Sequence, residues 1–335
     1  MSVLSPTTKA SLIMIRGRRL FGWHASGALG ATLAVLATVP PLMATQGCSS
    51  GGDSGTGGQS GAGGGPSGGA LHGRIAVQLK EDEGYTDFAA AFRDGIFPPP
   101  SDKGPLVASM SAAGCELLVP VGCDTPCEAT SWCTGKDQCT PKSTVINAGP
   151  LALTGLGGGD LDLEPQGNVY AVSPTLPFPA CSEGASVTVQ ASQFTLAGSC
   201  IAPLDVTTPP PVMASAGHSI DLAWAPPAEA GSRVQIVVEI SHHGGFKGEI
   251  DCDVPDTGSF SVPEPLVTAL NDLGRAGYPT ISVTRKSTAT ATQAPNVALE
   301  ISSTVVLAAD TGVVSCGGDQ DCTGNATCQP SRICQ

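Results

Sequence analysis

The chain has 335 residues, with 29 acidic against 16 basic side chains and a formal net charge of −13. Residues 1–47 hold four of the basic groups and none of the acidic ones, so the remainder carries −17, the wrong sign for phosphate backbones, and nucleic acid is excluded as a partner class. Charged residues make up only 13% and aromatics 4%, while Gly (43) and Pro (28) abound, a composition that favours short strands and turns over helices.

Lys9, Arg16, Arg18 and Arg19 precede an uncharged apolar run, Ala25–Ala44, which Pro40 and Pro41 interrupt. A membrane-spanning helix needs about 20 apolar residues, so residues 1–47 read as a cleaved export signal. Gly17-Arg18-Arg19-Leu20-Phe21 is similar to a twin-arginine motif but lacks the usual hydrophobic residue after Phe21, and the export route stays open between the two pathways. Thr45-Gln46-Gly47-Cys48 resembles the bacterial lipobox, in which a cysteine is lipidated and becomes the new N-terminus. Gly47 conforms, while Thr45 and Gln46 depart from the pattern. Cleavage near Cys48 by ordinary signal peptidase, or an uncleaved anchor, are the alternatives. Ser49 supplies no Asp-type inner-membrane retention cue, so the expected location is the outer membrane, held through a lipid on Cys48. Residues 48–70 are almost wholly small and polar and read as a disordered tether with a mean reach of roughly 25 Å.

Beyond the tether, Gly73–Lys80 alternates apolar and polar positions and predicts a first strand. Thr86–Phe97 places Phe88 and Phe92 four residues apart among alanines and predicts a short helix ended by Pro98-Pro99-Pro100. Cys115–Pro120 predicts a strand. From Ser143 the pattern is all-β, with strands expected at Thr144–Ile146, Leu151–Thr154, Leu161–Leu163, Val169–Val172, Ser186–Ala191 and Gln193–Leu196. Pro209-Pro210-Pro211 cannot join a central strand and reads as a boundary. A second set of strands follows at Ser219–Ala225, Arg233–Ser241, Gly248–Asp253, Ser259–Val262, Thr280–Arg285 and Ala298–Ala308, with one short helix at Pro263–Asn271. The fold class is therefore mainly β, antiparallel and sandwich-like, with small disulfide-rich modules. The expected organisation is a signal (1–47), a lipid-anchored linker (48–70), a β domain (71–208) containing a Cys-rich segment (115–139), a β-sandwich domain (209–312) and a C-terminal Cys-rich module (313–335).

Twelve cysteines follow Cys48. Behind an export signal an even count reads as a disulfide framework rather than as metal sites. Cys123, Cys127, Cys133 and Cys139 form one quartet, and Cys316, Cys322, Cys328 and Cys334 a second with even spacing. Three connectivities are open for each quartet. An interlocked pairing, first with third and second with fourth, is the preferred one. Cys115, Cys181, Cys200 and Cys252 remain as staples of the larger β body.

A lipobox-like cysteine, a Gly/Ser tether and a body carrying DLAWAPP (221–227), EIDCDVPDTGSFSVP (249–263) and YPTISVTRK (278–286) resemble uncharacterised Cys-rich secreted lipoproteins of Gram-negative soil bacteria. The resemblance covers most of residues 71–335. It implies an architecture and an address; no activity travels with it.

Candidate chemistry is sparse. Asp251, Asp253 and Asp256, and separately Asp319 with Asp321, are oxygen-rich enough for calcium but follow no EF-hand pattern. His242 and His243 lie near Glu239 in the chain, without zinc-type spacing, and read as histidines at a hairpin tip. Asp256-Thr257-Gly258 and Asp310-Thr311-Gly312 repeat the aspartic-protease tripeptide, yet lie too close in sequence for two lobes, and Asp-Thr-Gly is also ordinary turn chemistry. Trp224 shares a face with Leu222 and reads as a core anchor. Gly155–Gly159 lacks a following helix and reads as a loop rather than a phosphate cradle. The resulting expectation is a non-catalytic binding or structural module of the envelope. It has no cofactor, a membrane contact through the lipid, and an unknown envelope protein or glycan as partner. The alternatives are an exported hydrolase built on carboxylates, or a carbohydrate-binding or adhesion module, for which three Trp and three Tyr leave little aromatic material.

Overall fold

Period-two alternation of apolar residues dominates the chain, and the structure, a computed structural model, turns it into sheets. It describes residues 70–172 and 176–335. The expected signal, Cys48 and nearly all of the tether lie outside the described residues. In chain order the strands are β1 (His72–Lys80), β2 (Tyr85–Arg93), β3 (Leu106–Ala112), β4 (Cys115–Pro120), β5 (Ser131–Gly135), β6 (Gln138–Pro141), β7 (Leu151–Thr154), β8 (Leu161–Leu163), β9 (Val169–Ala171) and β10 (Leu176–Pro177). They continue as β11 (Ser186–Gln190), β12 (Thr195–Ser199), β13 (Val212–Met213), β14 (Ile220–Ala223) and β15 (Arg233–Glu239). The last are β16 (Glu249–Pro255), β17 (Ser259–Val262), β18 (Thr280–Thr290) and β19 (Val297–Asp310), with helix α1 (Glu264–Leu273) between β17 and β18.

Eleven strands form one large sheet, whose main path runs β10-β2-β1-β19-β18-β15-β16-β4-β3. Most neighbours are antiparallel; β1 and β13 instead lie parallel to β19. The inner face of this sheet has two covers. A four-stranded sheet, β12-β11-β7-β8, packs Leu151, Leu153, Val187, Val189 and Leu196 against Val77, Phe88, Phe92, Leu299 and Ile301. Farther along, the β14–β17 ribbon and α1 close over β4, β15, β16 and β18, with Trp224, Leu222, Leu266 and Leu270 buried against Val234, Ile236, Ile250 and Val283. Apolar burial on this scale, at roughly 25 cal/mol per Å², is what holds the two layers together.

Three expectations are corrected. Residues 86–93 are strand β2, not helix: Thr86, Phe88, Ala90 and Phe92 are buried on one face. Phenylalanines four residues apart satisfy either period, and pairing along all of β1 overrides the helix preference of the alanines. The boundary at Pro209-Pro210-Pro211 does not divide the sheet. β1 pairs with β19 from Gly73–Val297 to Leu79–Ser303, and Val212–Met213, directly after the prolines, pairs with the far end of β19. Strand β19 is thus a shared spine for both halves of the chain. The strand expected at Thr144–Ile146 is reduced to a single bridge between Arg93 and Val145, whereas α1 forms close to its expected place, with Pro263 at its N-cap and Pro265 in its first turn.

Six disulfides form: Cys115–Cys252, Cys123–Cys133, Cys127–Cys139, Cys181–Cys200, Cys316–Cys328 and Cys322–Cys334. Both quartets adopt the interlocked pairing. Among the described residues, no helix is long and apolar enough to cross a membrane.

Candidate functional site

The outer face of the β15–β16 pair carries two clusters of polar side chains. Alternation turns Arg233, Gln235 and Glu239 outward on β15, and Glu249, Asp251 and Asp253 outward on β16, because Val234, Ile236, Val238, Ile250, Cys252 and Val254 take the inner positions. The β3–β4 hairpin, turning through Ala113 (φ 50°) and Gly114 (φ 81°), rises beside this face. Positive φ at both central residues is the type I′ requirement for a two-residue hairpin turn.

The result is an open groove of about 610 Å³ lined by Ser111, Glu116, Gln235, Asp251, Asp253 and Lys286, among others. The Gln235 amide donates to both Asp251 oxygens at 2.9 Å. Lys286 Nζ donates to Gln235 Oε1 at 3.2 Å and lies 3.7 Å from Asp253. Arg233 pairs with Asp253 through its side chain and its backbone carbonyl. Glu116 stands directly opposite Asp251 across the strands. Donors and acceptors alternate over the groove floor, an arrangement suited to polar ligands. Exposed pairs of this kind contribute about 0–1 kcal/mol each to stability.

At the other end of the same face, Glu239 and Glu249 are paired residues across the strands. Lys103, arriving from the loop before β3, bonds Glu249 at 2.5 Å and lies 3.2 Å from Glu239 Oε2, with the Phe246 ring 4.9 Å from its ammonium. Burial pushes the Glu249 carboxyl above its ordinary range, although the hydrogen bond and charge of Lys103 oppose this. For Lys103 burial alone lowers the value, but the two carboxylates together outweigh it and the ammonium is held above its ordinary range. Both groups are raised, but for different reasons: burial prevails over the one cation beside Glu249, whereas the two carboxylates prevail over burial at Lys103. Beyond Glu239 the chain makes a single 3₁₀ turn, His242–Gly244. His242 Nδ1 is 3.1 Å from Glu239 Oε1, the His242 and His243 ring centres are 5.2 Å apart, and His243 and Tyr278 are 5.6 Å apart.

The candidate carboxylates do not converge. Asp251 and Asp253 share the outer face, but Asp256, past the end of β16, turns into the interior and leaves the expected set. There it accepts hydrogen bonds from Arg285 Nε (2.6 Å) and Nη2 (3.3 Å), Trp224 Nε1 (2.7 Å) and Ser232 Oγ (2.8 Å), and the ion pair is almost wholly buried. Arg285 also donates to the Pro203 and Ala225 carbonyls. Residues of the three stretches DLAWAPP, EIDCDVPDTGSFSVP and YPTISVTRK therefore meet in one internal network. Asp310 serves a turn instead, accepting from Gly312 N at 2.8 Å. Asp319 and Asp321 cap the C-terminal module through Cys328 N, Gly317 N and Gly318 N. Among the described residues, the groups of three metal-type donors within 4.8 Å of one another are the cysteine triples Cys123–Cys127–Cys139 and Cys316–Cys322–Cys334, whose sulfurs are in disulfides.

Lys103, Gln235, Glu249, Arg285 and Lys286 were not singled out from the sequence. Alternation in RVQIVVE and EIDCDVP carries a signal for Gln235 and Glu249; for Lys103, which reaches them from a distant loop, there is none. No protein-family model matches the chain, and no curated protein matches it.

Proposed function

We propose that this protein is an exported lipoprotein of the cell envelope, anchored through Cys48 in the outer membrane. In this reading its β body is a non-catalytic binding or structural module, and its groove over Gln235, Asp251 and Lys286 receives a polar envelope protein or glycan. The observation that carries the reading is the commitment of the chain's most enzyme-like groups to structure. All twelve cysteines after Cys48 are in disulfides, as suits an oxidising compartment, and the Asp-Thr-Gly carboxylate is spent on a buried arginine. Kinship with uncharacterised secreted lipoproteins of soil bacteria belongs to the same proposal. Growth with labelled palmitate tests the anchor: wild type takes up label and Cys48→Ala does not, and equal labelling of the two refutes it. Pull-down from intact envelopes tests the groove. Wild type retains a reproducible protein or glycan that Asp251→Lys loses, whereas identical captures, or none, count against it.

A second reading, an exported hydrolase, is favoured by the facing Glu239 and Glu249, since a pair of carboxyl groups of which one is raised by burial is the arrangement of acid–base catalysis. Turnover of chromogenic esters, peptides or glycosides that disappears in Glu249→Gln would establish it over the binding module.

A further inference from the structure

At the end of the same strands, the contacts around the histidine turn pose a problem that hydrogen bonding does not resolve. Glu239 Oε1 is closed off from solvent and has no hydrogen-bond partner, even though His242 Nδ1 lies 3.1 Å away. The ring N–H is therefore not aimed at the oxygen. A buried carboxylate oxygen without a donor is costly, and a ring nitrogen beside it without a shared proton leaves the cost in place. The other carboxylate oxygen is accounted for, since Lys103 lies 3.2 Å from it and thereby orients the group, as a second-layer partner does for a metal ligand.

We infer that His242 and Glu239 are two donors of a surface site for one divalent first-row metal ion, completed by His243. An ion that holds a nitrogen and an oxygen at about 2.0–2.2 Å keeps them roughly 3.3–3.6 Å apart at a tetrahedral angle, a few tenths of an ångström from the observed 3.1 Å. Two imidazoles on one such ion place their ring centres roughly 5 Å apart, and those of His242 and His243 are 5.2 Å apart. The trio does not yet converge within 4.8 Å, so His243, exposed on the turn, has to rotate about its side-chain torsions. That rotation gives up the edge contact of His243 with Tyr278 and is made on the solvent side of the turn. Imidazole with carboxylate selects zinc, copper or nickel over calcium and magnesium. Three protein donors leave a fourth position open to water or a ligand.

The neighbouring charges are compatible with a cation. Lys103 brings one positive charge, but it is bonded to Glu249 as well as facing Glu239, so the cluster is net negative before the ion arrives. The site is separate from the groove and stands whether or not the groove binds a partner.

Calorimetric titration of the full-length, oxidised chain with Zn²⁺ tests the inference, with the fold of each variant checked by circular dichroism. The expected result is one Zn²⁺ per chain, with affinity weakened by about tenfold or more in His242→Ala, in His243→Ala and in Glu239→Gln, and unchanged in His218→Ala, an exposed histidine elsewhere. The two histidine variants lie on an exposed turn and keep the test decisive should Glu239→Gln fail to fold. Absence of saturable binding up to about 1 mM Zn²⁺, wild-type affinity in either His242→Ala or His243→Ala, or an equal loss in His218→Ala overturns it.

Discussion

At the scale of single residues, the two Asp-Thr-Gly copies show how context decides chemistry. Asp256 is buried and answers a guanidinium; Asp310 is exposed and shapes a turn. Removing one partner of a buried pair leaves the other charge uncompensated, at about 3–5 kcal/mol. Asp256→Asn is expected to lose stability of that order in urea denaturation, while Asp310→Asn, which can form the same turn, stays within about 0.5 kcal/mol. Glu249 offers a pH test. Burial raises its carboxyl above the ordinary 4.5, so the folded chain holds this proton to a higher pH than the unfolded chain does. Stability then increases as pH falls from the raised value towards 4.5 and is lowest, from this group, once it is ionised. Wild type measured against Glu249→Gln should gain relative stability between pH 7 and pH 4.5; a relative loss would contradict the assignment. Lys103 acts at the other end of the scale, its contribution being full below 10.5 and lost as pH passes its raised value.

At the scale of elements, the C-terminal module depends on one close backbone approach. Gly277 N donates to Ser331 O at 2.7 Å, and a Cβ on Gly277 would collide with the Arg332 carbonyl. Backbone cannot yield as a flexible side chain does, so Gly277→Ala is expected to undock residues 316–335 at a cost of about 1–3 kcal/mol. Hydrogen exchange should then rise across the module while β15, β16 and β18 stay protected; unchanged protection of the module would refute this. The module's internal order is a separate matter, because its two disulfides and the caps from Asp319 and Asp321 do not pass through Gly277.

At the scale of the whole molecule, β19 binds the two halves of the chain into one unit. A fragment of residues 209–335 would keep β19 but lose β1 at its side and the β7–β11–β12 cover over Val297, Leu299 and Ile301. It is expected to unfold without a cooperative transition, whereas residues 70–335 unfold with one; a cooperative fragment would restore the boundary at the prolines. Much of this architecture was legible beforehand. Strands Leu151–Thr154, Leu161–Leu163, Ser259–Val262 and Cys115–Pro120 appear where alternation placed them, since period two is written locally in side-chain order. The two cysteine quartets were legible as disulfide modules, but spacing left three connectivities open for each, and the structure forms the interlocked pairing that was preferred. Residues 86–93 were not legible, because four-residue spacing serves helix and strand alike and only the partner β1 decides. Nor was the polar face: Lys103 meets Glu239 and Glu249 across long sequence separations, and Asp256 leaves Asp251 and Asp253 because the chain turns inward after Pro255. By itself the sequence determined the β character, the cysteine framework and the acidic surface, all properties of composition and short-range order. Only the tertiary structure decided which strands share a sheet and which carboxylates keep company, because those depend on burial and pairing between segments that the linear order holds apart.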